Sequence, residues 1–285
     1  MTDLTTRVVM LGTGTPIPDP TRHGPSLAVV VGDRSYIVDA GPGVVRRAIE
    51  AAERHEIEAL QAPNIRRAFL THLHHDHCAG VPDLIYTPWT VGRSDPIEIA
   101  GPPGTVDLVA RIEDAYSEDR RIRLGGLEPA SPDGWRCQAY DMNAGPSGHE
   151  VYEDDRIRIT AFEVAHGDWE HSFGYRFESD DRSIVISGDT TYCEALIDQA
   201  RDCDLLIHEV YCAAGLARRS EAWQTYHRAH HTSAEDLGRI ATQAAPAQLA
   251  LTHVLLQGAT WAELQAELAS TYDGPVTIPD DLDLL

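Results

Sequence analysis

Residues 71–77 read THLHHDH, a run in which four of seven side chains are histidines. The run follows a predicted strand at 67–71, and a buried strand gives a metal site a rigid platform. Imidazole and carboxylate groups are the ligands that zinc and similar cations prefer in proteins. We therefore predict that metal is bound by His72, His74, Asp76 and His77, and that His75 points away.

One short run cannot complete two coordination shells, so further ligands must come from later in the chain. Suitable side chains follow three other predicted strands, at 157–164, 183–187 and 248–252. The residues at those strand ends are His166, Asp189 and His253. Strand-end placement makes them the best remaining candidates.

Composition limits the classes of protein to consider. The chain of 285 residues has 45 Asp and Glu against 23 Lys and Arg, a formal net charge of −22, and 42% hydrophobic residues. These proportions predict a folded domain, and the acidic excess disfavours nucleic acid or an anionic membrane as partner. The five cysteines show no C-x-x-C spacing, and neither a signal sequence nor a membrane span is apparent. We expect a cytoplasmic protein.

Two helix starts and the chain end carry further local expectations. Thr232 with Glu235 and Thr260 with Glu263 have the spacing of a capping box, which predicts a helix beginning at each threonine. The acidic tail DDLDLL is expected to be a solvated end, with docking of its leucines as the alternative.

The motifs together resemble the metallo-β-lactamase-fold superfamily of metal hydrolases. THLHHDH, Asp189 in SGDT and His253 in LTH carry this resemblance, which covers nearly the whole chain. The stretch LGTGTPIPDPTRHGPS, HGDWEHSFGYRF around His166, LLIHEVY around Glu209 and HHTSAEDLGRIA around His231 are similar to the branch that holds ribonuclease Z and arylsulfatase-like proteins. The resemblance implies an α/β fold, a four-layer αββα sandwich of two mixed β-sheets with helices on the outer faces. It implies one domain over residues 1–285, with an irregular insertion at about 124–155 in which 135–140 could form a strand.

The resemblance also implies a dinuclear site. His72, His74 and His166 would hold one Zn²⁺, and Asp76, His77 and His253 the other, with Asp189 bridging; Asp76 also counts as catalytic. Mn²⁺ or Fe²⁺ is the alternative metal. Two such cations ionise a shared water near neutral pH, and the resulting hydroxide attacks an ester centre. His74 argues against the di-iron oxygen-reducing branch, which has a carboxylate there.

Other side chains are given supporting roles by the same resemblance. Glu209 and His231 resemble the pair that delivers a proton to the leaving oxygen. His230 is the alternative proton donor. The alternative for Glu209 is a purely structural role. His208 and His227 are expected around the site or on the surface. Asp39 in VDAGPG resembles a residue that orients a ligand imidazole. Trp169, Trp223 and Trp89 flank the motifs and either line an apolar substrate pocket or belong to the core.

The expected substrate follows from a missing segment. Ribonuclease Z carries a long basic arm between the GYR strand and the bridging aspartate, yet only 12 residues separate Arg176 from Asp189 here. With the charge of −22, this predicts a small-molecule substrate and no nucleic acid. The predicted reaction is hydrolysis of a sulfate, phosphate, carboxylic ester, lactone or activated aryl ether. The substrate would be a small molecule, either aromatic or non-aromatic.

Two alternatives remain open at this point. One is a transfer-RNA 3′-processing endonuclease of the ribonuclease Z type that borrows a basic surface from a partner. The other is a catalytically weak zinc-binding scaffold or subunit of a hetero-complex. Because such relatives commonly dimerise, a homodimer is expected.

Overall fold

The computed structural model describes residues 4–285, which divide into two compact units. The first unit runs to Met142 and also contains Asp280–Leu285, and the second is Asn143–Pro279. Residues 1–3 of the predicted single domain lie outside the described part, and the count of one domain stays a prediction. No helix within residues 4–285 is both long and apolar enough to cross a membrane.

The first unit is built on a six-stranded mixed sheet. Its strands, in spatial as well as chain order, are β1 (Thr6–Gly12), β2 (Ser26–Val31), β3 (Arg34–Val38), β4 (Arg67–Phe69), β5 (Ile97–Gly101) and β6 (Cys137–Asp141). The pairs from β1 to β3 are antiparallel and those from β3 to β6 are parallel. The helices are α1 (Val44–His55), α2 (His75–Cys78), α3 (Val81–Thr90), α4 (Thr105–Ala115) and α5 (Ser117–Gly125), with 3-10 turns at Glu58–Leu60 and Ala62–Asn64.

The second unit is built on a seven-stranded mixed sheet. Its spatial order is the reverse of the chain order: β13 (Val276–Thr277), β12 (Leu249–Leu255), β11 (Leu205–Tyr211), β10 (Ser183–Ile186), β9 (Phe173–Ser179), β8 (Ile157–Glu163) and β7 (His149–Glu153). The pairs from β7 to β10 are antiparallel and those from β10 to β13 are parallel. The helices are α6 (Glu194–Ala200), α7 (Ala213–Leu216), α8 (Glu221–His230), α9 (Ala234–Ala244) and α10 (Trp261–Ala269).

Each unit has its own apolar core. In the first, α1 buries Val44, Val45 and Ala48 in one cluster with residues of β1 to β5. In the second, α9 buries Leu237 and Ile240 against the apolar strands of its sheet. These cores fix the strands that contain or precede the predicted ligands.

The segment predicted as an irregular insertion, 124–155, contains β6 and β7, and β6 lies where a strand was predicted at 135–140. Both are edge strands, and most of their side chains are exposed or half-buried, so they lack the apolar alternation that marks a strand in sequence.

The expectation of a solvated tail is wrong. The backbone N–H of Leu285 donates to the carbonyl of Val8 at 2.8 Å, and that of Leu282 donates to Met10 at 2.6 Å. The side chain of Leu282 is buried in the core of the first unit. The tail therefore extends the first sheet at β1.

Candidate metal centre

The histidine-rich run lies where β4 ends and α2 begins. His72 and His74 are in the loop between them, and Asp76 and His77 lie in the single turn of α2. The side chains of His72, Asp76 and His77 are buried, whereas the side chain of His75 is 78% exposed. The prediction that His75 points away is confirmed.

Asp39 and Thr71 set the orientation of two of these imidazoles. Nδ1 of His77 donates to the Asp39 carboxylate at 2.8 Å. The hydroxyl of Thr71 donates to the same carboxylate at 2.9 Å and lies 3.0 Å from Nδ1 of His72, from which it can accept. In both rings the proton is thereby placed on Nδ1, so that Nε2 keeps its lone pair for a cation. The expected role of Asp39 is confirmed as a contact, whereas Thr71 was not anticipated.

The donor atoms of the first unit converge. Nε2 of His72 lies 2.9 Å from Nδ1 of His74, and Nε2 of His77 lies 3.5 Å from the carboxylate of Asp76. Three imidazoles and one carboxylate, mostly buried and with two tautomers fixed, match the donor chemistry of divalent cations such as zinc.

The second unit holds the other predicted ligands. His166 follows β8, and its Nδ1 donates to the carbonyl of His230 at 2.7 Å, again leaving Nε2 for a cation. Nε2 of His253 lies 3.6 Å from the Asp189 carboxylate, and both side chains are buried. Within this unit, the donors of Asp189, His231 and His253 lie within 4.8 Å of one another.

His253 lies inside β12, not beyond the strand as predicted. It is the extra residue of a β-bulge, because Glu209 pairs with Thr252 and Val210 pairs with Val254. Its backbone is left-handed, with φ of 46°. A bulge re-aims a side chain that regular alternation would point elsewhere, and it is common beside functional sites.

Glu209 and His231 are in contact. Oε1 of Glu209 lies 3.3 Å from Nδ1 of His231 and accepts backbone N–H groups from Thr190 and Thr232 at 3.2 and 3.0 Å. Its Oε2 has no hydrogen-bond partner among residues 4–285. Burial, reinforced by the Asp189 carboxylate, raises the pKa of Glu209 well above its ordinary value.

The geometry distinguishes His230 from His231. The ring of His230 stacks on Tyr226 with centroids 4.1 Å apart, and its Nδ1 donates to the Tyr226 carbonyl at 2.8 Å. His231, by contrast, contacts Glu209 and lies 3.9 Å from the Asp189 carboxylate. Of the two histidines, His231 is therefore the one in contact with the carboxylates.

His208 and His227 are buried, not at the surface. Burial lowers the pKa of His208 to about 4, and its Nδ1 donates to the carbonyl of Glu209 at 2.6 Å. His227 has its pKa lowered to about 4, mainly by burial, and accepts from the Gln257 amide at 2.9 Å.

The three tryptophans have different environments. Trp89 is buried in the core of the first unit and donates to the Ser131 carbonyl at 2.8 Å, so it is a core residue and not a pocket residue. Trp169 is half-buried and pairs through its backbone with His166. Trp223 is 49% exposed and stacks on His227 with centroids 5.7 Å apart.

Comparison with known proteins defines the class. The model of the β-lactamase superfamily domain matches residues 34–254, and the chain belongs to this family. Its fold is the metallo-β-lactamase α/β fold with two mixed sheets and helices, and the predicted enzyme class, a metal-dependent hydrolase, is confirmed.

Individual relatives show which members of the family the chain is similar to. Ribonuclease Z of Mycobacterium bovis (strain BCG / Pasteur 1173P2) is 30% identical over 283 residues, which cover 96% of each chain. Among solved structures, the metallo-beta-lactamase fold protein YhfI of Bacillus subtilis has a TM-score of 0.74 at 19% identity, covering 98% of both chains. The short form of human tRNase Z has a TM-score of 0.68 at 23% identity, also over 98% of both chains. At these identities the two structures show the fold alone.

These relatives correct the substrate prediction. A whole-length curated relative named as a ribonuclease contradicts a small-molecule substrate and the expectation of no nucleic acid. The likeness to arylsulfatases is not supported either. The missing arm does not separate this chain from that relative, because 96% of the relative is covered and a long unmatched insertion is excluded. The net charge does not exclude RNA either, because it sums over the whole surface and does not describe the local field at one site.

Proposed function

We propose that this protein is a metal-dependent endoribonuclease that processes the 3′ end of precursor transfer RNA. The observation that carries the proposal is the 30% identity to ribonuclease Z over 96% of both chains, so that no large part of either protein lacks a counterpart. Buried, converging histidine and aspartate donors in each unit support it.

The proposed metals are two Zn²⁺, with Mn²⁺ or Fe²⁺ as alternatives. We assign His72, His74 and His166 to one ion and Asp76, His77 and His253 to the other, with Asp189 between them. The support is the donor chemistry of each set and the fixed Nδ1 protons of His72, His77 and His166. When bound, such cations supply Lewis acidity that ionises water and neutralises charge on the phosphodiester.

The proposed proton donor is His231. Glu209 accepts two backbone N–H groups, which fixes its carboxylate against Nδ1 of His231. Burial and repulsion by Asp189 raise the pKa of Glu209, and the repulsion would be offset by cations held at Asp189. An ionised Glu209 at Nδ1 would then stabilise the protonated imidazole and leave Nε2–H to protonate the leaving oxygen of the cleaved bond. The proposed catalytic residues are thus Asp76 beside the metals, Glu209 as the positioning carboxylate, and His231 as the acid.

The direct test uses precursor transfer RNA with a 3′ trailer. The wild-type protein should release the trailer, and Asp189→Asn should lose at least about 10²-fold in kcat and also bind fewer metal ions per chain. His75→Ala is the matched control, because this histidine of the same run is exposed and should leave both readouts unchanged. Failure of the metal-loaded wild type to cleave any precursor would overturn the proposal.

The proton role has its own test with two substrates. His231→Ala should slow trailer release by about 10²–10⁴-fold, because an alkoxide leaves poorly without a proton. The same variant should lose far less on bis(p-nitrophenyl) phosphate, whose leaving phenolate is already stable. Equal losses on both substrates would show that His231 does not protonate the leaving oxygen.

A further inference from the structure

We propose that α8 is a binding site for single-stranded RNA, and that its groove takes one nucleobase bearing an exocyclic amino group. This proposal rests on the proposed function and names the part of the RNA that the second unit holds beside the cleaved bond. The carrying observation is a set of stacked aromatic rings on one helix, beside three exposed arginines that offset the acidic groups around it.

The surface around α8 is not acidic, unlike the chain as a whole. Residues 217–231, ARRSEAWQTYHRAHH, contain three arginines and one carboxylate. With Glu263, which pairs with Arg218, and Asp168, which lies beside the helix, the local formal charge is 3 − 3 = 0 in a chain of −22. Arg218, Arg219 and Arg228 are all exposed. Arg218 is paired with Glu263, whereas Arg228 donates to the neutral side chain of Gln224. Exposed arginines interleaved with aromatic rings are typical of surfaces that bind single-stranded RNA.

A groove of about 940 Å³ lies along the same helix. From α8 it is lined by Ala222, Thr225 and Ala229, whose side chains are small. Tyr226 and His230 also line it, and their mutual stacking holds the tyrosine ring in one orientation. Trp223, one residue beyond Ala222, is 49% exposed and held against His227. An aromatic face fixed in this way accepts a base at a low entropic cost.

Two carboxylates in the groove favour the base of a nucleotide over its phosphate. Asp168 and Glu221 line the groove, and both are exposed. They repel a phosphate, so the backbone belongs with the arginines outside. A carboxylate accepts hydrogen bonds from base amino groups, as with N4 of cytosine, whereas uracil presents a carbonyl oxygen at that position. The groove should therefore prefer cytosine over uracil.

The groove is joined directly to a proposed metal ligand. Nδ1 of His166 donates to the carbonyl of His230, the last residue of α8. Gly167 follows with φ of +55°, and a Cβ there would lie 2.0 Å from Nε2 of His230. The wall of the groove and the His166 loop thus touch, and a base in the groove lies beside the site of cleavage.

The binding test uses short fluorescent oligoribonucleotides and the full chain. Wild type should bind oligocytidine more tightly than oligouridine, by about tenfold for one good contact pair. Tyr226→Ala and Trp223→Ala should each weaken binding by about tenfold, and Tyr226→Phe should restore it because the ring stacks. Tyr140→Ala is the control, because Tyr140 is also an exposed tyrosine but lies in the first unit. Asp168→Ala combined with Glu221→Ala should abolish the cytosine preference.

The outcomes separate the two proposals. Suppose that wild type releases the trailer but folded Tyr226→Ala and Trp223→Ala bind RNA as tightly as wild type. The α8 site is then overturned, and the proposed function stands. Oligonucleotide binding that depends on Tyr226 without any precursor cleavage overturns the proposed function and leaves the α8 site standing. Thermal unfolding of each variant shows whether it is folded. As a second readout, Arg228→Gln should weaken RNA binding severalfold. Arg239→Gln on α9 is its control and should leave binding unchanged.

Discussion

Asp39 and His253 are two non-glycine residues with left-handed backbone, with φ of 61° and 46°. Such conformations cost about 1–3 kcal/mol each and persist only where the surroundings enforce them. Asp39 is held by Thr71 and His77, and His253 by the bulge between β11 and β12. At both positions the strain aims a side chain at the proposed metal site, which is a common use of strained backbone.

His208 predicts how stability depends on pH. It is fully buried, and burial lowers its pKa from 6.5 to about 4. Between these values the unfolded chain binds a proton that the folded chain does not, so the free energy of unfolding decreases as pH falls from about 6.5 to 4. His208→Asn keeps a donor for the Glu209 carbonyl and removes the titration. Urea unfolding at pH 7 and pH 4 should show that the variant loses less stability, by up to about 3 kcal/mol.

The comparison between proteins removes the contribution of all other titrating groups. His75→Asn, at an exposed histidine, is the control and should follow the wild-type pH dependence. If His208→Asn and wild type lose the same stability between the two pH values, His208 is not held neutral by burial.

The site could be predicted from the sequence as residue types but not as contacts. Strand-end spacing and the resemblance predicted the proposed donors and Asp39, because residue types can be read directly from the sequence. Thr71 was missed, although it is the residue just before His72. The carbonyl of His230 was missed because main-chain acceptors have no sequence signature, and the choice between His230 and His231 needed the ring positions.

Helix caps show how sequence patterns work at the scale of elements. The capping box of Thr260 and Glu263 at the start of α10 is confirmed. The predicted cap at Thr232 is wrong by one residue, because α9 is capped by Ser233, which accepts from the N–H of Asp236. The hydroxyl of Thr232 instead donates to the Thr190 carbonyl at 2.6 Å. A tertiary contact that spans 42 residues has displaced the local pattern.

Because Ser233, and not Thr232, caps α9, we expect a substitution of Ser233 to change stability through the cap. Ser233→Ala removes the acceptor for an otherwise unpaired N–H at the start of α9, and should lower the free energy of unfolding by about 1 kcal/mol. Urea unfolding of the metal-loaded protein at pH 7 measures it. Ser233→Thr keeps the hydroxyl and is the matched control; a loss as large in Ser233→Thr as in Ser233→Ala would show that the cap is not the cause.

At the scale of the whole molecule, the sequence predicted the fold class but not the partner. The resemblance carried by THLHHDH and the later motifs was enough to imply the α/β class, because such motifs are local features of the sequence. The net charge of −22 led to the wrong prediction of no nucleic acid, because it includes acidic residues far along the chain from ARRSEAWQTYHRAHH. How charges are distributed over a surface depends on the fold, and a sum over the sequence does not contain it.

The same charge distribution predicts an unusual salt dependence of RNA binding. At distances beyond one Debye length, about 10 Å at 0.1 M salt, the RNA meets the net charge of −22, so added salt screens repulsion and should raise the association rate. At contact it meets the arginines of α8, so salt should also raise the dissociation rate. Stopped-flow binding of single-stranded RNA to His231→Ala, which limits turnover, between about 20 and 150 mM salt should show both rates increasing. An association rate that falls steeply with salt would mean that a basic surface larger than α8 guides the RNA.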